Sequence, residues 1–312
     1  MRTIIHIISS LDDGGAEGVL YRLIECSQSE FSHRVICLKD HGKYGDMLLE
    51  NGVSVTTLNM PAGRLSVRGL IGLFTELKRN KGNKTIVQTW MYHSDLLAGC
   101  IARILGYKTV IWGVRNNKID SASKMTSIIA RLCALTSSIV PSSIICCSSE
   151  AIDHHRGLGY KGVWHTIPNG YQTDDFTVST DLRKHTRSEL GINDCFLFGF
   201  VARWDPQKDH KTLLHAVSLW QKNNSTIDFK LLLVGNEMDE NNTVLYEMIR
   251  SLQLENKVLL LGRRDDIPGI MNAIDVHILS SKSEAFPNVI AEAMACGTPC
   301  VCTDVGLSLI HI

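Results

Sequence analysis

Short apolar runs alternate with helix-length amphipathic segments along the whole chain, the pattern of parallel strands wrapped by helices. In the first half it predicts strands over 3–8, 33–38, 53–58, 85–89, 108–112 and 143–147, with helices such as 17–26, 67–78 and 95–105 between them. The second half restarts with strands over 197–201, 230–234, 257–261, 276–280 and 299–303. Two Rossmann-like domains account for this, although a (β/α) barrel gives the same alternation. The boundary is expected in the polar stretch from Pro168 to Leu190, where PNGYQTDDF supplies turn residues; it divides the chain into residues 1–170 and 171–312.

Composition narrows the class. With 312 residues, 44% of them hydrophobic and 21% charged, the chain has room for two cores and no sign of disorder. Its 32 basic and 32 acidic residues cancel, which argues against a nucleic-acid binder held by bulk charge. The halves differ: residues 1–170 carry 19 basic and 13 acidic side chains, and the remainder carries the reverse excess. Apolar runs are broken by Arg103, Arg131 and Pro141 before they reach membrane-spanning length, and the start, MRTIIHIISSLDDGG, is unlike a secretory signal. Ten cysteines without a Cys-x-x-Cys pair, several in apolar runs (Cys37, Cys100, Cys146, Cys147, Cys300, Cys302), suggest reduced, buried thiols and a cytoplasmic protein.

Three segments carry candidate chemistry. GGAEGVLYRLIE (14–25) follows a strand and opens a helix; Gly14 and Gly15 allow close backbone approach and the helix start offers N–H groups to an anion. The spacing of Gly14, Gly15 and Gly18 is not that of a dinucleotide fingerprint, and a tight βα turn would explain it equally. In GFVARWDPQKDH (199–210), Arg203 and Lys208 follow a strand's carboxyl end, where two cations suit a diphosphate. An ion pair of Lys208 with Asp205 or Asp209 is the plainer explanation. In SSKSEAFPNVIAEAMACGTPC (280–300), Glu284 precedes a helix opened by Pro287, and Glu292 lies about a turn and a half inside it. Carboxylates bind vicinal hydroxyls and the helix start attracts phosphate, so this element suits a nucleotide sugar.

At these residues the chain resembles the retaining glycosyltransferases of family 4. The resemblance runs from GGAEGVL through VQTWMYHSDLLAG, PNG, VARWDPQKDH, LLLVG and LLGRRDDIPGIM to SEAFPNVIAEAMACGTPCVCTDVG. It implies the GT-B fold, two Rossmann-like domains facing across a cleft, with an N-terminal acceptor-side domain and a C-terminal donor domain. It further implies that Arg203 and Lys208 grip the donor diphosphate, that Glu292 binds the ribose, and that Glu284 addresses the transferred sugar. Phe286, Pro287 and Asn288 complete the donor-binding set, and Gly14 and Gly15 cover the phosphates from the opposite domain. His93, in MYHSD, corresponds to a polar segment near the reacting carbon, although a purely structural histidine fits a loop position equally.

The resemblance implies transfer of a hexose or N-acetylhexosamine from a nucleotide diphosphate sugar, with UDP the expected carrier, by front-face attack with retention. No cofactor or metal is expected, since there is no Asp-x-Asp. The acceptor is expected to be a glycan or polyprenyl-linked, with Arg115 and Asn116 of WGVRNNKID as candidate contacts. Arg64, Arg68, Lys78, Arg79, Lys81 and Lys84 flank a helix carrying Leu70, Ile71, Phe74 and Leu77. A solvated basic helix end is the favoured explanation, and contact with the anionic inner leaflet is the other. Beyond Gly306 the chain departs from the family pattern, which suggests a C-terminally truncated product. A nucleotide-sugar epimerase of the same fold and a non-catalytic nucleotide-binding protein are the competing expectations.

Overall fold

The computed structural model describes residues 1–12, 14–61, 66–117, 119, 124–171, 174–192, 194–224, 226–306 and 308. Arg64, Lys118 and Asp120 lie outside the described residues. The chain divides into two units, Met1–Tyr171 and Gln172–Ile312.

Unit 1 runs β1 (Arg2–Ile8), α1 (Gly15–Ser27), β2 (Phe31–Cys37), α2 (Gly42–Glu50), β3 (Ser54–Thr57), α3 (Val67–Arg79), β4 (Thr85–Trp90), α4 (Met91–Ile104), β5 (Thr109–Val114), α5 (Lys124–Thr136), β6 (Ser143–Cys146), α6 (Ser149–Gly157) and β7 (Trp164–Thr166). The strands are parallel, in the order β3-β2-β1-β4-β5-β6-β7. The chain therefore walks outward from β1 to β3, jumps back to β4 and walks the other way. Right-handed crossovers then put α1 and α2 on one face and α3 to α6 on the other. Leu73, Leu77, Ala98, Ala102 and Trp112 fill the second face, and Leu20, Ile24, Leu48 and Trp90 fill the first. The short β7, Trp-His-Thr, was not among the expected strands; it has one partly buried residue and no alternation to mark it.

A polar chain crosses the first face. Trp90 Nε1 donates to His6 Nδ1 (3.4 Å), His6 Nε2 meets His33 Nδ1 (3.0 Å), and His33 Nε2 meets Ser27 Oγ (3.1 Å). One tautomer satisfies every link: each imidazole accepts at Nδ1 and donates from Nε2, and both are neutral. Burial, reinforced by the neighbouring His33, lowers the His6 pKa to about 3.

Unit 2 runs α7 (Thr180–Glu189), β8 (Phe196–Val201), α8 (His210–Asn223), β9 (Phe229–Val234), α9 (Thr243–Ser251), β10 (Val258–Gly262), α10 (Ile267–Ala273), β11 (Val276–Leu279), α11 (Asn288–Ala295) and β12 (Cys300–Cys302). Its parallel sheet has the order β10-β9-β8-β11-β12. The polar stretch from Pro168 to Leu190, in which the boundary is expected, includes helix α7. Ser179 caps α7 by accepting from Leu182 N (3.2 Å). Arg183 and Arg187 then turn inward to the Asp275 carboxylate (2.5 and 3.4 Å) and to the carbonyls that end α10. The charge that reads as linker composition thus ties the helix to its unit. All ten cysteines are free thiols, but Cys100, Cys300 and Cys302, expected to be buried, are only partly so.

Candidate active site

In each sheet the strand order reverses at one point, between β8 and β11 in unit 2 and between β1 and β4 in unit 1. Loops leaving the strand ends on either side of such a reversal diverge and open a crevice for ligands. Arg203, Lys208 and Glu284 lie on the loops of unit 2 and Gly14 on that after β1, whereas His93 and Glu292 lie in the helices that follow and Arg115 and Asn116 follow β5.

In unit 2, β8 ends at Val201 and a single 3-10 turn, Pro206–Lys208, leads into α8. Asp205 builds the turn by accepting from Gln207 N (2.9 Å), and Asp209, at φ 49°, caps α8 by accepting from Thr212 N (3.4 Å) and takes the Thr212 hydroxyl as well (2.8 Å). The loop after β11 is stitched to it. Ser280 Oγ shares its hydrogen between the carbonyls of Lys208 and Asp209 (2.9 and 3.1 Å), and Lys282 N donates to Gln207 O (2.7 Å). Thr303, following β12, adds its hydroxyl to Ser281 O (2.6 Å).

This stitching carries Lys208 Nζ to Glu284 Oε1 at 2.5 Å, across 76 residues of sequence. Ser281 Oγ donates to the same oxygen (2.6 Å). Both charged side chains are mostly buried, with 21% and 11% of their surface exposed. An ion pair so enclosed gains more from its charges than a surface pair does, at the cost of desolvation. The plainer expectation, Lys208 paired with Asp205 or Asp209, is not what forms: Asp205 takes Arg203 (2.8 Å) and Asp209 takes Lys282 (3.4 Å). Burial pushes the Asp205 carboxyl up, but the Gln207 N–H and the Arg203 guanidinium outweigh it and hold it below the usual range. Arg203 itself is half exposed.

Glu284 is followed by Ala285 and Phe286, and Pro287 is the N-cap of α11 rather than its first residue, so Asn288 opens the helix. Glu292 is the fifth helical residue, with its carboxylate close enough to Cys296 to add to the burial that raises that thiol. Gly306, at φ 57°, closes on the Glu284 carbonyl so tightly that a Cβ there would lie 1.7 Å from the oxygen. Only a glycine fits against the Glu284 backbone there.

In unit 1, Gly14 is the N-cap of α1 and Gly15 its first residue, so the expected glycine loop is already the helix start. The Glu17 carboxylate folds over Gly14 where a Cβ would sit. His93 lies in the first turn of α4, not in a loop; burial and then the Lys39 charge lower its pKa. Met91 enters α4 at φ 72°, a left-handed conformation costly for a side chain of its size. Ser94 Oγ reaches Ser9 Oγ at the end of β1 (3.4 Å). Behind them Asp95 is fully buried, accepts from Thr89 Oγ1 (2.5 Å) and takes the Gly113 N–H. Burial raises its pKa well above the usual carboxylate value, against the lowering by these two hydrogen bonds. Arg115 is turned onto its own unit, its guanidinium 4.7 Å over the Trp90 ring and bonded to Asn169 Oδ1 (2.8 Å). Asn116 beside it is partly exposed.

Two parallel α/β domains with polar residues gathered at their strand-order reversals have the GT-B fold. The solved structure of HepE from Anabaena with UDP and glucose superposes with a TM-score of 0.84 at 23% identity, covering 98% of this chain and 82% of that one. Sucrose-phosphate synthase from Thermosynechococcus elongatus gives 0.77 at 18%, covering 99% and 83%. Residues 183–309 match the family model described as glycosyl transferases group 1. Among curated relatives it is 27% identical over 247 residues to the Escherichia coli UDP-Gal:alpha-D-GlcNAc-diphosphoundecaprenol alpha-1,3-galactosyltransferase, covering 77% of this chain and 62% of the relative. It is 31% identical to mannosylfructose-phosphate synthase of Agrobacterium fabrum over 56% of this chain and 39% of that relative. The chain thus spans less than two thirds of the length of either curated relative.

Proposed function

We propose that the chain transfers a hexose or N-acetylhexosamine, with retention of anomeric configuration, from a UDP-sugar to a glycan or polyprenyl-linked acceptor in cell-surface polysaccharide synthesis. The observation that carries this is the enclosed Lys208–Glu284 pair at the strand-order reversal of unit 2, beside the start of α11. A diphosphate seated there meets the Lys208 ammonium and the Arg203 guanidinium, and the N–H groups of α11 add a partial positive charge. Glu284, fixed by Ser281, accepts from hydroxyls of the transferred ring, and Glu292 from the ribose. The negative charge on the leaving diphosphate grows as the glycosidic bond breaks, so groups aimed at it stabilise the transition state more than the ground state. The acceptor hydroxyl attacks from the face the diphosphate leaves, and its proton passes to a leaving phosphate oxygen. Charge stabilisation by side chains and the helix start is sufficient for this step without a metal. Unit 1 supplies the acceptor side through His93 and Asn116, with Arg115 held behind them by Trp90 and Asn169. Reduced thiols and nucleotide-sugar use both suit the cytoplasm. The name of the Escherichia coli relative supports a UDP-sugar and a diphosphopolyprenol acceptor.

The test is thermal shift of the chain with UDP, GDP, ADP and dTDP, followed by mass spectrometry of mixtures with and without a diphosphopolyprenol-linked acceptor. UDP should stabilise most, and a mass gain of one sugar should appear on the acceptor. An epimerised donor formed without acceptor would make the chain an epimerase instead.

A further inference from the structure

The polar chain on the first face of unit 1 runs head to tail. Trp90 Nε1 gives its hydrogen to His6 Nδ1 (3.4 Å), His6 Nε2 to His33 Nδ1 (3.0 Å), His33 Nε2 to Ser27 Oγ (3.1 Å), and Ser27 Oγ to the Leu23 carbonyl. Its direction is fixed at both ends, because an indole N–H can only donate and a carbonyl can only accept. His6 is fully buried and His33 is 8% exposed, with the two rings stacked at 5.2 Å. Each imidazole therefore has one nitrogen that gives and one that receives, and no nitrogen is left over for a further proton.

That count decides what acid does. The titratable groups packed on the same face are the Cys37 thiol of β2 and the phenols of Tyr21 on α1 and Tyr44 on α2, types that stay neutral through the histidine range. Gln88, level with His6 on β4, and Phe31, near His33 on β2, carry no charge either. Arg115 meets Trp90 but acts on neither imidazole, and no carboxylate among the described residues acts on them. Burial lowers both below the ordinary histidine value, while the Ser27 backbone, accepting from His33, offsets part of this for His33. His33 is also the less buried of the two, so a proton enters there. On His33 Nδ1 it points at the hydrogen of His6 Nε2. The clash is relieved when His6 carries its hydrogen on Nδ1 instead and accepts a charge-assisted bond from the imidazolium. His6 Nδ1 then faces Trp90 with a hydrogen of its own, and the indole loses its acceptor.

Trp90 ends β4 at the strand-order reversal of unit 1, and the Arg115 guanidinium lies 4.7 Å over its ring. Arg115 Nε is buried without a hydrogen-bond partner among the described residues, so the indole supports that part of the guanidinium. We infer that His6 and His33 are positioning residues for Trp90 and, through it, for Arg115, and that one proton taken up by the pair releases both. What the release does to acceptor binding rests on the proposed function; the release itself does not.

The test follows the Trp90 indole N–H and the Arg115 Nε–H by NMR of the full chain between about pH 7.5 and about pH 5, the range in which histidines charge. Trp90→Phe and Arg115→Lys identify the two signals. In the parent both should shift on acidification, the Arg115 signal losing the displacement that the ring gives it. Glutamine supplies one acceptor and one donor, as neutral His33 does, and takes up no proton, so His33→Gln should hold both signals at their neutral-pH positions throughout. His6→Leu, which leaves the indole without an acceptor, should show the released positions at every pH, and His6→Gln should restore the parent's neutral-pH positions. A parent whose Trp90 signal does not move overturns the inference, as does the same response from His33→Gln. In transfer assays with a diphosphopolyprenol-linked acceptor, the acceptor KM should rise at least about tenfold from the higher to the lower pH in the parent and stay level in His33→Gln. Signals that move as expected without a change in acceptor KM would take Arg115 out of the acceptor site and leave its positioning by the pair intact.

Discussion

The two strand-order reversals share a topology and differ in chemistry. In unit 2 the loops after β8 and β11 bring together Lys208, Glu284, Arg203 and Asp205, every cation already held by a carboxylate. In unit 1 the loops after β1 and β4 present helix starts, two serines and a histidine whose burial favours the neutral form. One crevice is built from ion pairs in fixed register, and the other offers hydroxyls, a histidine and helix starts, with the Glu17 carboxylate and the Lys39 charge beside them. For sugar transfer this suits a division in which unit 2 handles the part of the substrate that changes charge and unit 1 the part that does not. A carboxylate partner also does for Lys208 what a rotamer preference cannot, directing a flexible ammonium before a ligand arrives.

The comparison breaks most readily on turnover. Lys208→Ala should lower kcat/KM by about 10²- to 10³-fold, as expected for a group aimed at developing charge. Arg203→Ala, which removes a half-exposed partner, and His93→Ala, which removes a neutral one, should each cost about tenfold. Steady-state kinetics on all three would sink the division if His93→Ala were the most damaging.

The next effect concerns stability. Gly235 leaves β9 at φ 146°, and a Cβ there would lie 2.1 Å from Ala202 O. Gly235→Ala should therefore destabilise unit 2 by about 2 to 3 kcal/mol, whereas Gly157→Ala on α6, where a Cβ meets nothing within 4 Å, should stabilise unit 1 by up to about 1 kcal/mol. Urea unfolding should show opposite signs, and equal signs would mean that backbone strain is not what distinguishes the two positions.

Titration gives a smaller, pH-dependent contrast inside unit 1. His6, lowered to about 3, and His155, lowered to about 4, take up protons in the unfolded chain from about pH 6.5 downward while the fold refuses them, so their burial costs stability as pH falls through that window. Asp95 has the opposite sign. The fold keeps its proton above the pH at which the unfolded chain releases it, so stability falls as pH rises from about 4. Asp95→Asn should remove that slope, gaining on the parent by up to about 1.4 kcal/mol for each pH unit between about 4 and the folded pKa. Melting temperatures at pH 5 and pH 8 that differ equally for parent and variant would show that Asp95 is ionised in the fold. The smallest effect expected is none: EDTA should leave transfer unchanged, and a loss restored by a divalent cation would mean that side-chain charge alone is insufficient.

Much of this architecture was legible, for reasons that particular residues make plain. Strands such as β1 and β9 are nearly continuous apolar runs because both faces are covered, and such runs are hard to mistake. Helix α7 was not seen because its sequence, TDLRKHTRSE, buries only Thr186 and spends its arginines on a carboxylate 92 and 88 residues away. Lys208 and Glu284 were each visible, but their pairing depends on Ser280 and Lys282 bonding to a loop more than 70 residues back. Asp95 was passed over in favour of His93, although a signal existed. It shares the helical face of Tyr92, Ala98, Gly99 and Ala102, all buried, so a carboxyl on that face had to be enclosed.

Asn272 gives the second unit a definite edge. Its side-chain amide accepts from Ser179 N (2.7 Å) and donates to Thr177 O (3.0 Å) and Pro268 O (2.9 Å), clasping the incoming chain to α10 as a strand partner would. For anyone exchanging second units between related chains, this clasp marks where the splice belongs. A junction at β8 would discard α7 and leave Asp275 without Arg183 and Arg187, and one at residue 183 would keep part of the helix but lose its Ser179 cap. A junction upstream of Thr177 carries the helix, its cap and the clasp across together, so the graft brings its own hydrogen-bonded border with it.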